Sequence, residues 1–127
     1  MEFRDDQPIY LQIAEHFCEN ILLEKWAPGD RVPSVREMAV SIEVNPNTVM
    51  RTYTFLQDKG IIFNKRGIGY FVADEGFIKT RALRKDDFVE NELPRFFKAM
   101  RLLDMTMDDV ARYYQQFENN KDNDENK

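Results

Sequence analysis

The chain has one cysteine, Cys18, and one histidine, His16, among 127 residues. A single cysteine excludes an intramolecular disulfide and a cysteine-rich metal site, and it suits a reducing compartment. A single histidine excludes a histidine-rich metal site, and His16 reads as a surface residue of the first helix. No serine, cysteine or carboxylate pair has a histidine partner at motif spacing, and Gly67-Ile68-Gly69 lacks the context of a phosphate-binding loop. An enzyme is therefore not expected, nor is a cofactor. No run is long and apolar enough to span a bilayer, and residues 1–6 are too acidic for a secretory signal, so the expected location is cytoplasmic. No internal repeat is visible. Positive charge is also scarce: 18 lysines and arginines stand against 23 acidic residues, a net charge of -5.

What is present is concentrated between residues 31 and 66. A hydrophobic fraction of 43% with 13% aromatic is ample for one packed domain plus an appendage. Ser34 stands just before an apolar run with Glu37 three residues on, the pattern of a capping box. Asn45 followed by Pro46 is an N-cap followed by proline at the first helical position. Two short capped helices joined by a brief turn predict a helix-turn-helix, whose second helix commonly enters the major groove of DNA. The same span holds Arg31, Arg36, Arg51, Lys59, Lys65 and Arg66 against Glu37, Glu43 and Asp58, a local balance of +3.

The flanking periodicities extend this unit. A first helix is predicted over residues 8–23, opened by Pro8, with Ile9, Ile13, Phe17 and Ile21 inward and Tyr10, Ala14 and Leu22 widening the stripe. Residues 26–30 form a turn, and Arg31-Val32 is a short extended piece before Pro33. The second helix covers residues 35–42. The third covers 46–59, with Val49, Tyr53 and Leu56 inward, Phe55 or Thr52 at the edge, and Gly60 as its stop. The period then changes to short β-branched and aromatic runs at 61–65 and 70–73, with Arg66-Gly67-Ile68-Gly69 at the bend. Three helices followed by a hairpin make a winged helix. The fold is thus mainly α with a small β-hairpin, its DNA-binding domain spanning residues 1–73.

Residues 74–117 are expected to be helical. Pro94 either kinks one helix or separates two, with Asp86-Asp87 available as a second cap. Thr106 with Asp109 forms another capping box, opening a helix to about Phe117. The polar residues 118–127 are expected to be disordered.

The ordered segments at residues 8–13, 28–39, 44–49, 60–62 and 66–72 together resemble the GntR family of bacterial transcription regulators. The 54 residues after Ala73 are too few for the effector domains of most members. They look like those of the YtrA subfamily, whose reduced C-terminal part is a helix pair used for dimerisation. The resemblance implies DNA contact by Arg36, the arginine of the Pro-Ser-x-Arg motif, and by Ser34 at the same helix start. It implies that Asn45, Asn47, Thr48 and Arg51 on the recognition helix face DNA, and that Gly67 and Gly69 form the wing tip. Pro46 departs from the arginine many members carry, and Met50 replaces a polar or basic residue, so base readout from both is lost or changed. The implied function is a homodimeric repressor on a palindromic double-stranded DNA operator, controlling a neighbouring transporter operon. The operator sequence does not carry over, and a small-molecule effector is left open.

The residue types permit these roles beside plainer ones. Asn47 reads adenine or, like Thr48, finishes the cap. The first N–H groups of the recognition helix favour a phosphate. Arg36 contacts guanine or phosphate, or pairs with an acid such as Glu43. Arg66 suits a phosphate or a narrow minor groove, or is a solvated turn residue. Met50 touches a thymine methyl or fills a partly buried gap. Phe96, Phe97, Met100, Val110, Tyr113, Tyr114 and Phe117 are more apolar surface than two helices bury against each other. A symmetric dimer covers them, and its two-fold axis matches a palindrome. The competing arrangement packs this tail onto its own winged helix. The competing function, slightly favoured by the acidic total, is a winged-helix protein-interaction module without DNA binding.

Overall fold

The apolar stripe of the first helix organises the N-terminal unit. In this computed structural model, which describes residues 1–125, α1 (Ile9–Leu22) buries Ile13, Ala14, Phe17, Cys18 and Ile21. It starts one residue later than the sequence predicts. Pro8 is extended (φ -54°, ψ 141°) and precedes the helix, and Ile9, at the open end of the stripe, stays exposed. Burial pushes the Cys18 thiol up to about 11, so it sits in the core as a neutral apolar group. α2 (Val35–Ile42) adds Met38 and Ala39 to the core, and α3 (Pro46–Asp58) adds Val49, Tyr53 and Leu56. Gly60 follows with φ +74°, the left-handed conformation that ends a helix cheaply.

β1 (Ile62–Lys65) and β2 (Gly69–Val72) pair antiparallel, with Ile62 opposite Val72 and Lys65 opposite Gly69. Ile62 and Val72 are buried while Phe63, Asn64 and Lys65 are exposed, so the hairpin is anchored at its base and open at its tip. Arg31 bridges Phe71, as the extended piece before Pro33 predicts. The Val32 amide donates to the Tyr70 carbonyl at 3.0 Å and the Val72 amide to the Asp30 carbonyl at 2.9 Å.

Two polar features of this unit escape the apolar pattern. Gln12 is buried because its side chain fastens the N-terminal arm. Its Nε2 donates to the carbonyls of Arg4 and Gln7, and its Oε1 accepts from the Arg4 amide, each at 2.7 Å. Glu15 accepts from Arg4 and forms an ion pair with Arg84 of α4 (Gly76–Asp87). Since α4 also buries Thr80 and packs Phe77 and Leu83 on the core, the N-terminal unit extends to Lys85, past the boundary at Ala73 expected from sequence.

Gly76 makes that extension possible. A Cβ there would lie 2.7 Å from Val72 Cγ1 and 2.8 Å from the Ile61 carbonyl oxygen, closer than atoms pack. Gly76→Ala is expected to cost about 1–3 kcal/mol through overpacking, although alanine favours helix. Urea unfolding measures this, and an unchanged or raised midpoint would show that α4 can shift without loss.

The second unit begins at Asp86. A π-helical turn, Phe88–Glu92, leads into α5 (Leu93–Leu102), whose first turn contains Pro94. Between one kinked helix and two, the backbone takes a third course. It stays helical and widens ahead of Pro94, which accommodates the ring and the missing N–H. Asp87 is helical and accepts from Asn91 at 2.7 Å rather than capping a new helix. α6 (Met107–Glu125) opens with the predicted capping box: the Asp109 amide donates to Thr106 Oγ1 at 3.2 Å and the Thr106 amide to Asp109 Oδ2 at 2.9 Å. The Thr106 donors, with Arg112 alongside, hold the Asp109 carboxyl below its usual range. Residues 118–125 are helical, not disordered as their polarity suggests, because a capped, nucleated helix adds each further residue at little cost. Residues 126 and 127 lie outside the described residues.

Candidate nucleic-acid interface

The outer face of α3 is set by what its inner face holds. Val49, Thr52, Tyr53 and Leu56 are buried, which turns Asn47, Met50, Arg51 and Thr54 outward. Two hydrogen bonds fix that orientation. Thr52 Oγ1 donates to the Tyr10 carbonyl at 2.7 Å, and the Tyr53 hydroxyl donates to the Pro33 carbonyl at 2.6 Å. The first ties α3 to α1 and the second to the entry of α2. Burial pushes the Tyr53 hydroxyl well above the usual tyrosine range, which keeps it a donor. Its ring meets Phe17 and Tyr70 edge-on at 5.6 and 5.0 Å between centroids.

At the start of α2 the capping box forms as predicted. Ser34 Oγ accepts from the Glu37 amide at 3.1 Å, and the Ser34 amide donates to Glu37 Oε1 at 3.3 Å. The hydroxyl proton of Ser34 is not used by the cap. Arg36 is exposed and has no hydrogen bond or ion pair among the described residues, so the alternative pairing with Glu43 is not realised.

The start of α3 is capped as expected, by Asn45 with Pro46 at the first helical position. Asn45 Oδ1 accepts from the Asn47 amide at 2.8 Å, the Asn45 carbonyl accepts from the Thr48 amide at 3.0 Å, and Pro46 has no N–H. The amides of Asn47 and Thr48 are thus engaged by the cap and are not offered to a phosphate, which puts the weight of recognition by this helix on side chains. Asn45 keeps its Nδ2 donors, Thr48 is half-buried, and the Asn47 side chain is exposed with no partner among the described residues. Arg51 is exposed but not loose: its guanidinium carbon sits 4.0 Å above the Tyr10 ring. Tyr10 is braced edge-on by Phe55 at 6.3 Å. The sequence placed Tyr10 in the core stripe and gave no sign of this support, which depends on how α1 crosses α3.

The wing carries Arg66, exposed and without a partner among the described residues, beside Gly67 at φ +80°. Gly69, at φ +143°, has Arg31 Nε 3.0 Å from where a Cβ would sit. A side chain there would push the Arg31 guanidinium aside, so the side chain of sequence-distant Arg31 lies against the wing. Lys65 lies 4.9 Å over the Phe71 ring.

The residues assigned to association lie on α5 and α6. Phe96 and Phe97 are exposed, Tyr113, Tyr114 and Phe117 are each more than 60% exposed, Val110 is half-buried, and Met100 is already buried in the single chain. Among the described residues no cluster of three or more metal-ligating side chains occurs, and no helix is long and apolar enough to cross a membrane.

Residues 9–72, from α1 through β2, match the family described as "Bacterial regulatory proteins, gntR family". The chain is 38% identical over 109 residues to the HTH-type transcriptional regulator YhcF of Bacillus subtilis (strain 168), covering 86% of this chain and 88% of that one. It is 44% identical over 71 residues to the HTH-type transcriptional repressor YtrA of the same organism, covering 56% of this chain and 55% of that one. A crystal structure of a GntR-family transcriptional regulator from Bacteroides thetaiotaomicron superposes with a TM-score of 0.73 at 42% identity, covering 89% of this chain and 98% of that one. These relatives are transcription regulators, not enzymes. Because the family match takes in the whole helix-turn-helix and wing, and the likeness to YhcF continues beyond them, the chain belongs to the GntR family of DNA-binding transcription regulators, in its YtrA-like branch.

Proposed function

We propose that this regulator is a cytoplasmic homodimeric repressor that binds a palindromic operator in double-stranded DNA. The observation that carries the reading is the pair of uncommitted side chains Arg36 and Asn47, held outward on helices whose inner faces are locked into the core. Asn47 suits bidentate readout of adenine and Arg36 suits guanine or phosphate. Asn45 Nδ2, the Ser34 hydroxyl, Thr48 and the ring-supported Arg51 act as positioning contacts to the backbone. Arg66, Gly67 and Gly69 place the wing at the minor groove. Phe96, Phe97, Val110, Tyr113, Tyr114 and Phe117 form the dimer face, with Met100 packed beneath. Repression follows the name of YtrA, and control of a neighbouring transporter operon follows the YtrA subfamily. A small-molecule effector has no assigned site.

Arg36→Ala is expected to weaken specific binding by about 5- to 150-fold, the value of one good base contact, without lowering the melting temperature. Fluorescence anisotropy on an operator duplex reads this directly, and unchanged affinity would remove Arg36 from its role.

A further inference from the structure

Met50 is an apolar side chain 45% exposed on a helix whose other large apolar residues are buried or half-buried. It lies one turn from Asn47 and one turn from Thr54, on the outward half of α3 toward the wing. It is not loose there. Its sulfur accepts from the Tyr70 hydroxyl at 4.0 Å, and Tyr70 is fixed in β2 opposite Asn64 with its ring edge-on to Tyr53. The wing strand thus holds the thioether at the edge of the recognition surface.

The chemistry of that position is narrow. A thioether has no donor and is a weak acceptor, so it cannot match the hydrogen-bonding edges of guanine or adenine. The apolar group that the major groove does present is the C5-methyl of a pyrimidine. A polarizable, unbranched side chain suits contact with it. We infer that Met50 is a specificity-determining residue that recognises a pyrimidine C5-methyl group, with Tyr70 positioning its sulfur. The inference rests on α3 being the helix that enters the major groove. Thymine and 5-methylcytosine carry the same methyl.

The test uses the full chain and a duplex it selects from a random-sequence pool. Each thymine is replaced singly by deoxyuridine, and each cytosine singly by 5-methyldeoxycytidine. At least one thymine-to-uracil change should weaken wild-type binding about three- to fivefold, the value of one methyl group removed from water. That change should leave Met50→Ala unaffected, and Met50→Leu, which stays apolar, should keep the effect. Tyr70→Phe should diminish it at unchanged melting temperature, and an undiminished effect removes Tyr70 from the role. A gain confined to a 5-methylcytosine position and lost in Met50→Ala supports the same assignment with methylated cytosine as the source. Equal methyl effects in wild type and Met50→Ala overturn the inference while DNA binding stands. Selection of no duplex at all overturns the operator reading and this inference with it.

Discussion

Tyr53→Ala is expected to lower the unfolding free energy by about 3–5 kcal/mol, a large share of the stability of a domain this size. The side chain is fully buried between α1, α3 and β2, and its ring meets both Phe17 and Tyr70. Its removal leaves a cavity at the junction of the helix-turn-helix and the wing. It also strands the Pro33 carbonyl, which accepts from the Tyr53 hydroxyl at 2.6 Å. Tyr53→Phe separates the two contributions. It keeps the ring and removes only the donor, so it is expected to cost about 1–3 kcal/mol. Urea unfolding of both variants should give that order. A Tyr53→Ala loss below 1 kcal/mol would mean that α3 is supported by something other than this residue.

The other large effect concerns association. Phe117→Asp is expected to convert the proposed dimer to a monomer at micromolar concentration. Tyr113, Tyr114 and Phe117 lie within about one turn of one another in the middle of α6 and stay exposed in the single chain, more apolar surface than an isolated protomer usually leaves in water. In an isologous interface one substitution enters twice, so two carboxylates would be buried where apolar contact is needed. Operator affinity should fall by about 100-fold or more, because two half-sites would no longer be engaged together. Sedimentation velocity reads the mass and anisotropy reads the affinity. A wild-type protein that is already monomeric at that concentration, or a variant that remains a dimer, would remove the tail from its assigned role.

How much of this was legible in the sequence depended on the range of the interactions. Ser34, Asn45 with Pro46, Gly60 and Thr106 act within three or four residues of themselves, and all four behave as their local patterns predict. The inward Val49, Tyr53 and Leu56 of α3 follow from 3.6-residue spacing alone. Features that need two distant segments were invisible. The burial of Gln12 has no visible reason in the sequence until the arm carrying Arg4 and Gln7 is laid over it. Gly76 carries no local signal of its role until Val72 and Ile61 are seen against it. Thr52, placed at the edge by spacing, is wholly buried because the Tyr10 carbonyl satisfies its hydroxyl. Asn45 and Asn47 differ at the interface. Both are polar residues at a helix start; the Asn-Pro pattern marks Asn45 as the cap, and the hydrogen-bond geometry adds that the Asn47 side chain has no partner among the described residues.

Low overall charge gives the protein modest nonspecific attraction to DNA, so binding must come from directed contacts and from two-fold symmetry. Hydroxyl-radical footprinting of the full chain on the DNA upstream of its own gene reads both together. Two protected half-sites related by a two-fold axis, with centres one or more helical turns of about 10–10.5 base pairs apart, are the expected result. Arg36→Ala should require a protein concentration about 5- to 150-fold higher for the same protection. A single asymmetric footprint, or no protection at any site the protein selects, would contradict a symmetric dimer reading DNA through its paired helices.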